Sequence, residues 1–364
     1  MKKHIVFLCL FTFLLTTVTM TFAQESPSLK DYLNNPDYPL DYWRTDTPEH
    51  VGLDASVLNQ APVYIDSIKA EVHSMLVIKD GKLVFEHYGW DNSPQRPHQI
   101  LPNEFHPMHS TTKSVTSALV GIAIQEGFIK SVKEPVLGYF KGYKPDEPSP
   151  MKSRITIEDV LTMRSGLKWN DDRDEWGLWN DSKPAFYVLD QPMVAEPGTL
   201  WNYSTGNSHI LTSILYRTIG KTPFKYGKEK LFTPLGITNL RWDYAQDGVN
   251  HGGTALYLTP RDMAKFGYLY LNQGVWEGKQ VVPKDWVENS LKSHTTTPWG
   301  ANYGYHWWIR GNDCFATAGA FGQDIYVFPK EKTIVVFTAN LPIETAQSTL
   351  ERIAREYVIG AIKK

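Results

Sequence analysis

The sequence contains little cysteine: Cys9 and Cys314 are the two in its 364 residues. Cys9 lies in an apolar N-terminal stretch that we expect to be removed, which leaves Cys314 alone. The mature chain can then form neither an internal disulfide nor a cysteine-rich metal site. It also lacks a His-Glu-x-x-His helix, so we expect neither a metal nor another cofactor.

A strong charge of either sign is also missing. The 37 basic residues nearly balance the 39 acidic ones, which gives a formal net charge of -2, and no long run of one sign occurs. Proteins that grip nucleic acid or anionic lipid by electrostatics concentrate positive charge. We therefore expect no nucleic-acid partner.

Long hydrophobic runs are absent except at the N-terminus, in MKKHIVFLCLFTFLLTTVTMTFAQ. Two lysines precede the apolar stretch, and small residues ending at Ala23 follow it, which is typical of a secretory signal. A retained membrane anchor is the alternative, but the stretch is short for a span. We predict a signal peptide at 1–23, an N-terminal extension at 24–44 and one domain at 45–364. The protein would be periplasmic or secreted, with no stable membrane span after signal removal.

The order of the patterns predicts an α+β fold (an α/β sandwich). SMLVIKDGKLVFEHYGW alternates around Asp80-Gly81, which indicates a β-hairpin. From about 131 to 289 the chain has helix and loop patterns. Strand patterns return in YGYHWWI, CFATAGA, QDIYVFP and TIVVFTAN, before an amphipathic helix at about 344–362. The simplest arrangement is one antiparallel sheet from both chain ends, flanked by the terminal helices, with a helical subdomain inserted at about 110–290. A cleft between these parts is a usual small-molecule site.

One Ser-x-x-Lys pair stands out from the three in the chain, which are Ser110–Lys113, Ser149–Lys152 and Ser165–Lys168. Ser149 lies between two prolines and Ser165 precedes a glycine, whereas Ser110 opens a periodic helix. The spacing puts Lys113 on the face of Ser110. Free N–H groups at the helix N-terminus favour an oxyanion there and disfavour an ammonium, so Lys113 can serve as a base for a nucleophilic Ser110.

Two further segments could complete such a site. Tyr203, in WNYSTGNSHIL, is a candidate proton relay just before a helix. In CFATAGAFGQ, Gly319 permits close approach of the backbone in a strand, and the Ala320 N–H can then face a substrate carbonyl.

These segments together resemble the three motifs of the serine β-lactamase and penicillin-binding protein superfamily. The motifs are Ser110-Thr-Thr-Lys113, Tyr203-Ser-Thr205 and Ala318-Gly-Ala320, in that order. The sequence around the motifs, such as ITIEDVLTMRSGL and GGTALYLTPRDMAKFG, is similar to that of the class C-related branch of esterases and 6-aminohexanoate-dimer hydrolases. The resemblance extends over roughly residues 46–341. The resemblance implies a nucleophile at Ser110, a Lys113/Tyr203 proton relay, and oxyanion donors at the N–H groups of Ser110 and Ala320.

The sequence departs from that pattern at two anchors for β-lactams. Thr205 stands where β-lactamases carry Asn, with Asn207 two residues later, and Thr317 stands where they carry Lys or His. We therefore predict hydrolysis of small esters or linear amides. The alternative is a β-lactamase, D-amino-acid peptidase or DD-carboxypeptidase acting on peptidoglycan-type substrates. The candidate substrate-binding residues are Gly319, Thr317, Asn207, Trp179 and His306, with aromatic walls from Trp169, Trp176, Trp179, Tyr305, Trp307 and Phe321.

Other interpretations compete with this one. A Ser-His-Asp triad would use His109, His209 or His306 as the base, although no Gly-x-Ser-x-Gly elbow is present. A carbohydrate enzyme or sugar-binding module would use the tryptophans and acids of KWNDDRDEWGLWND, which we expect to lie on one loop. A non-catalytic receptor of the same fold is the third alternative, and the oligomeric state is not indicated by any pattern.

Overall fold

The computed structural model describes residues 43–144 and 149–363. The predicted signal peptide and residues 24–42 of the predicted extension lie outside this part. Within the described ranges, no helix has the length and apolar character needed to cross a membrane.

The central element is an eight-stranded sheet in which every neighbouring pair is antiparallel. The strands are β1 Val72–Lys79, β2 Lys82–Tyr88, β3 Trp90–Asp91, β4 His98–Gln99, β5 His106–Pro107, β6 Arg241–Trp242, β7 Leu256–Leu258, β8 Val275–Trp276, β9 Lys279–Gln280, β10 Thr295–Thr296, β11 Asn302–Tyr303, β12 Trp308–Arg310, β13 Cys314–Thr317, β14 Asp324–Phe328 and β15 Thr333–Ala339. The order in the eight-stranded sheet is β10-β11-β12-β13-β14-β15-β1-β2, so strands from both ends of the described chain meet at β15 and β1.

The α-helices lie at both ends of the described chain and between β5 and β10. They are α1 Ala55–Leu58, α2 Gln60–Ser67, α3 Thr112–Gln125, α4 Ile157–Leu161, α5 Asp171–Asn180, α6 Pro184–Asp190, α7 Thr205–Ile219, α8 Pro223–Gly227, α9 Pro260–Leu271, α10 Lys284–Ser290 and α11 Ile343–Ile353. Helices α3 to α10 fall within the predicted helical subdomain, which also contains the short strands β6 to β9.

The hairpin β1–β2 turns where its sequence predicts. Asp80 and Gly81 have φ values of 52° and 76°, and two positive φ angles in a row are what a two-residue type I′ turn requires. The turn sets β1 beside β2, and β15 pairs with the other edge of β1.

The two faces of the sheet bury separate apolar clusters because successive side chains of a strand point to opposite sides. Leu76 and Ile78 join the larger cluster, which includes residues of α3, α7 and α9. Met75 and Val77 join the smaller one, against α2 and α11. Helices thus cover both faces of an antiparallel sheet, and the predicted fold class is confirmed.

Three local expectations are wrong. YGYHWWI is not one strand: β11 ends at Tyr303, β12 begins at Trp308, and the chain reverses between them with His306 at a φ of 61°. Gly319 lies two residues beyond the end of β13 rather than within a strand. Four acids of KWNDDRDEWGLWND lie on a helix, α5, rather than on a loop, and these are Asp171, Asp172, Asp174 and Glu175.

Candidate active site

Ser110 lies in a 3-10 turn, His109–Thr111, that leads directly into α3. The turn is attached to the segment that follows β13, because Thr111 Oγ1 lies 2.6 Å from Gln323 O and 2.9 Å from Thr317 Oγ1. Ser110 itself is half-buried. The start of a helix carries partial positive charge, which favours a developing oxyanion beside Ser110.

Lys113 is 1% exposed, and its Nζ has three acceptors. It donates to Ser110 Oγ at 2.9 Å, to Thr205 Oγ1 at 3.0 Å and to Gly253 O at 3.0 Å. Since an ammonium has three donors, these contacts satisfy the charged form completely.

The same three contacts also suit the neutral amine. Two N–H groups can still donate to Thr205 and Gly253, while the nitrogen lone pair accepts from the Ser110 hydroxyl. Lys113 can therefore take up and return a proton without moving, which is what a base next to a nucleophilic serine must do.

Asp171 is part of the site, although its individual role did not follow from the sequence. Thr205 Oγ1 donates to Asp171 Oδ2 at 3.0 Å, and the Thr205 N–H donates to Asp171 Oδ1 at 2.9 Å. Trp169 Nε1 donates to the same carboxylate. A negative charge is thereby linked to Lys113 through one hydroxyl, and Thr205 takes part in the site instead of leaving a gap.

Glu175 lies one helical turn after Asp171 on α5 and borders the same region. Burial raises the pKa of Glu175, against the opposing effect of the Lys113 charge. Asp171 and Glu175 are four residues apart, so they share one face of α5. This spacing is visible in the sequence and could have identified the face of the helix that meets the site.

Gly253 allows the close packing around Lys113. A Cβ at Gly253 would lie 2.9 Å from Thr205 Cγ2 and 3.0 Å from Lys113 Nζ. Glycine is therefore needed where this backbone passes the lysine.

The Tyr203 ring lies next to Lys113, with its centroid 4.8 Å from Nζ. Among the described residues no hydrogen-bond partner occurs for its hydroxyl. The ring stacks on Trp308 at 6.2 Å between centroids, and Trp201 packs beside it at 6.1 Å. The structure thus brings all three predicted catalytic side chains together.

The two predicted oxyanion donors are both available. Neither the Ser110 nor the Ala320 N–H has an acceptor within the described part of the chain. Gly319 brings their backbones together, because a Cβ there would lie 2.6 Å from Met108 O, two residues before Ser110.

Thr317 and Asn207 are buried and used internally. Thr317 Oγ1 accepts from the Ile325 N–H at 3.1 Å as well as contacting Thr111. Asn207 lies in the first turn of α7, where its Nδ2 contacts Met163 Sδ at 3.9 Å. Neither side chain contacts Ser110 or Lys113.

His306 and Trp179 contact residues other than the three predicted catalytic side chains. His306 is 2% exposed, its Nε2 contacts Ser208 Oγ at 3.1 Å, and burial lowers its pKa to about 3. Trp179 is half-buried, packs on His251 at 3.6 Å between ring centroids and contacts Glu175 through Nε1.

The aromatic walls differ from the expected ones. Trp169, Tyr305 and Trp307 are buried, Trp176 is 74% exposed, and Phe321 packs edge-on against His109. The aromatic residues next to the catalytic side chains form a different group, the aromatic cluster, made of Trp201, Tyr203, Trp299, Tyr303 and Trp308. Its members come from distant segments, so no local pattern reveals it.

Two of the competing interpretations, the Ser-His-Asp triad and the carbohydrate site, lose their structural basis. Within the described ranges, none of His109, His209 and His306 contacts a carboxylate, so none forms a Ser-His-Asp triad. Asp171 and Asp174 lie on the same helix, α5, so they do not face each other across a sugar site. Asp174 accepts from Arg173, and Asp171 accepts from Trp169 and Thr205. Ser165 is buried while Lys168 is exposed, and Ser149 Oγ accepts from the Met151 N–H.

A serine contacted by a buried lysine at a helix start, beside an antiparallel sheet, is the arrangement of a hydrolase that acts through an acyl-enzyme. The sequence model of the family described as Beta-lactamase matches residues 67–357, and the chain belongs to that family. This chain is a serine hydrolase, which is consistent with the relatives that are named as hydrolases.

Two curated relatives illustrate the range of the family. The 6-aminohexanoate-dimer hydrolase of Paenarthrobacter ureafaciens is 25% identical over 295 residues, which cover 74% of this chain and 72% of the relative. A D-aminopeptidase of Brucella anthropi is 24% identical over 174 residues, 44% of this chain and 31% of the relative.

Solved structures show the same fold. EstCE1, a hydrolase with promiscuous acyltransferase activity, superposes with a TM-score of 0.69 at 13% identity, over 85% of this chain and 99% of its own. The octameric penicillin-binding protein homologue from Pyrococcus abyssi gives a TM-score of 0.65 at 21% identity, over 84% and 79%. At these identities the likeness concerns the fold alone.

Proposed function

We propose that this protein hydrolyses small esters and linear amides through an acyl-enzyme on Ser110. The observation that carries the proposal is the 2.9 Å contact between Lys113 Nζ and Ser110 Oγ in a buried setting. Of the three Ser-x-x-Lys pairs, this is the one whose side chains are in hydrogen-bond contact within the described residues.

The reaction follows from these groups in two halves. Ser110 Oγ attacks the substrate carbonyl carbon while its proton passes to Lys113 Nζ, and the carbonyl oxygen becomes an oxyanion held by the N–H groups of Ser110 and Ala320. The proton then passes, with Tyr203 as the relay, to the leaving oxygen or nitrogen, whose bond to carbon breaks. Water then attacks the acyl carbon, its proton passes by the same route to Ser110 Oγ, and the bond between Oγ and the acyl carbon breaks to release the acid.

The substrate preference rests on how the polar side chains are used. Thr205 and Thr317 carry no charge, and their hydroxyls are engaged inside the protein, so neither is an anchor for a β-lactam carboxylate. The aromatic cluster continues from the Tyr203 ring to Trp299, which is 65% exposed. An apolar surface of this kind discriminates weakly between substrates, which supports a broad range of short esters.

The experiment is fluorophosphonate labelling followed by peptide mapping. The label is expected on Ser110, and Ser110→Ala should lose labelling and several orders of magnitude in kcat, since groups that act as a unit have no substitute. Ser149→Ala and Ser165→Ala are the matched controls and should keep both. A label on Ser149 or Ser165 would refute the proposal.

A substrate panel tests the preference separately. p-Nitrophenyl esters of rising chain length are compared with nitrocefin and D-amino-acid amides, in the wild type and in Trp299→Ala. Short esters should be the best substrates. If nitrocefin or a D-amino-acid amide has a kcat/KM comparable to the best ester, a β-lactamase or peptidase function takes the place of this one.

Export is proposed as well, on the sequence of residues 1–23. N-terminal sequencing of the protein recovered from cell fractions should find Gln24 first, in the periplasm or the medium. Recovery of a chain with an intact N-terminal stretch in the membrane fraction would favour an anchor instead.

A further inference from the structure

Gly319 and Ala320 share one peptide group, and its orientation decides where the Ala320 N–H points. The described chain contains no cis peptide, so the Gly319 carbonyl and the Ala320 N–H point in opposite directions. Whatever holds the carbonyl on one side of the loop therefore aims the N–H to the other side.

Three donors hold the Gly319 carbonyl. The N–H groups of Gly322 and Gln323 lie at 3.1 and 3.4 Å, and Gln347 Nε2 from α11 lies at 3.4 Å. The first two belong to the same tight turn as Gly319. Gln347 is the one donor that comes from another element, and it attaches this turn to the helix behind the sheet.

The N–H group of Gly319 itself donates to the side chain of Asp324. Its Oδ1 accepts from the Gly319 N–H at 3.1 Å, and its Oδ2 lies 2.9 Å from the Tyr326 hydroxyl. The same N–H also lies 3.2 Å from the main-chain oxygen of Gln323. Asp324 is completely buried at the start of β14. At each end of Gly319 a side chain, Gln347 or Asp324, thus adds to the backbone hydrogen bonds of the turn.

The Tyr326 hydroxyl connects these two anchors. It lies within hydrogen-bond distance of Asp324 Oδ2 and of the main-chain oxygen of Gln347, at 3.1 Å, but it has one proton for two acceptors. Both acceptors have a donor when Asp324 is protonated. The Asp324 O–H then donates a hydrogen bond to the Tyr326 hydroxyl oxygen, and the Tyr326 O–H donates a hydrogen bond to the main-chain oxygen of Gln347.

Burial favours that protonated form. It raises the pKa of Asp324 to about 7, while hydrogen bonds from Tyr326 and Gly319 and the charge of Arg310 on β12 oppose the rise. Glu351 on α11 adds to the rise. A carboxylic acid is thus available to act as a donor within the sheet.

From this geometry we propose that Gln347 is a positioning residue, which together with Asp324 and Tyr326 aims the Ala320 N–H at the acyl group on Ser110. The inference rests on the proposed function, because it assumes that an oxyanion forms beside Ser110. Gln347 does not touch the substrate. It acts through the Gly319–Ala320 peptide, and α11 is thereby connected to the chemistry on the far face of the sheet.

The decisive variant is Gln347→Met, which keeps the length of the side chain and removes its N–H donor. Its kcat for a short p-nitrophenyl ester should fall about tenfold, less than the 10²–10³ that follows loss of an oxyanion donor itself, with KM nearly unchanged. Labelling of Ser110 by the fluorophosphonate should slow in parallel. Ser348→Ala, on the exposed side of the same helix, is the matched control and should leave both rates unchanged.

A second pair of variants tests Asp324. Asp324→Asn keeps the acceptor for the Gly319 N–H and supplies a permanent donor to Tyr326, so it should retain most of kcat. Asp324→Leu removes both and should lower kcat, and circular dichroism and the melting temperature show whether it is folded.

The outcomes separate the two proposals. If the wild type is not labelled at Ser110, the proposed function fails. If Ser110 is labelled and Gln347→Met matches Ser348→Ala in kcat, the function stands and the positioning role of Gln347 is wrong. A fall in kcat for Asp324→Asn as large as that for folded Asp324→Leu would equally contradict the protonated network.

Discussion

Lys113 Nζ receives its three partners from three separate segments: the turn before α3, the first residue of α7, and the loop before β7. The contacts of Lys113 therefore form only when all three segments are packed in their final positions. Its burial also means that a replacement has little room to adjust.

Replacement of Lys113 by arginine tests its role as a base. Lys113→Arg keeps a positive charge but stays protonated at any working pH, and its larger head group meets Gly253 at close range. We expect a loss of at least roughly 10³ in kcat/KM, about as large as that of Lys113→Met. Steady-state kinetics with a p-nitrophenyl ester measures it, and an active arginine variant would require a different base.

The pairing of Ser110 with Lys113 could be predicted because it depends on one turn of one helix. The role of Asp171 could not, because it depends on how the start of α5 packs over the start of α7. Thr205 looked like a missing anchor for the same reason: its function comes from Lys113 on one side and Asp171 on the other.

At the scale of elements, α3 packs so closely that one of its residues must lack a side chain. A Cβ at Gly121 would lie 2.2 Å from Cγ of Trp286 on α10. Trp286 is buried, so it has little freedom to move aside.

Gly121→Ala should therefore destabilise the protein, although alanine is favoured over glycine within a helix by about 1 kcal/mol. Overpacking of this kind costs roughly 1–3 kcal/mol, which should lower the free energy of unfolding in urea. The control is Gly138→Ala, where an added Cβ meets no atom within 4 Å. Equal stability of the two variants would contradict the contact.

Some elements could be predicted from local signals and others could not. The hairpin follows from Asp80-Gly81 because positive φ angles are encoded by those two residues themselves. The reversal at His306 does not, because its backbone is held by Leu161 and Ser114 from distant segments. An alternating aromatic sequence fits a strand equally well until those contacts are known.

At the scale of the whole molecule, several histidines are buried in the neutral form. Burial lowers the pKa of His106, His209 and His306 to about 3 and that of His251 to about 4. In the unfolded chain a histidine titrates near 6.5. The unfolded state therefore binds more protons than the folded state between about pH 6.5 and 4.

Stability should consequently fall as the pH is lowered through this range. Four groups act in the opposite sense because folding raises their pKa values, and these are Asp324, Glu175, Asp247 and His98. Six histidines outnumber them, since burial also lowers the pKa values of His87 and His109. Each uncompensated proton changes the free energy of unfolding by about 1.4 kcal/mol per pH unit. Thermal melts from pH 7 to 4.5 should show a falling melting temperature, with a shallower dependence in His209→Leu. A melting temperature that rises on acidification would contradict these buried histidines.

The pairing of β1 with β15 also has a consequence for the timing of folding. Val72 pairs with Ala339, so the apolar strand β1 has no partner on that edge until nearly the whole polypeptide has been synthesised. Sheets closed by such remote pairings form slowly, because the intervening chain must first be brought together. A ribosome making this protein therefore releases most of its length before the central sheet can close. For a protein that we propose is exported, this late closure would keep the central sheet unformed while the chain is threaded through a membrane channel.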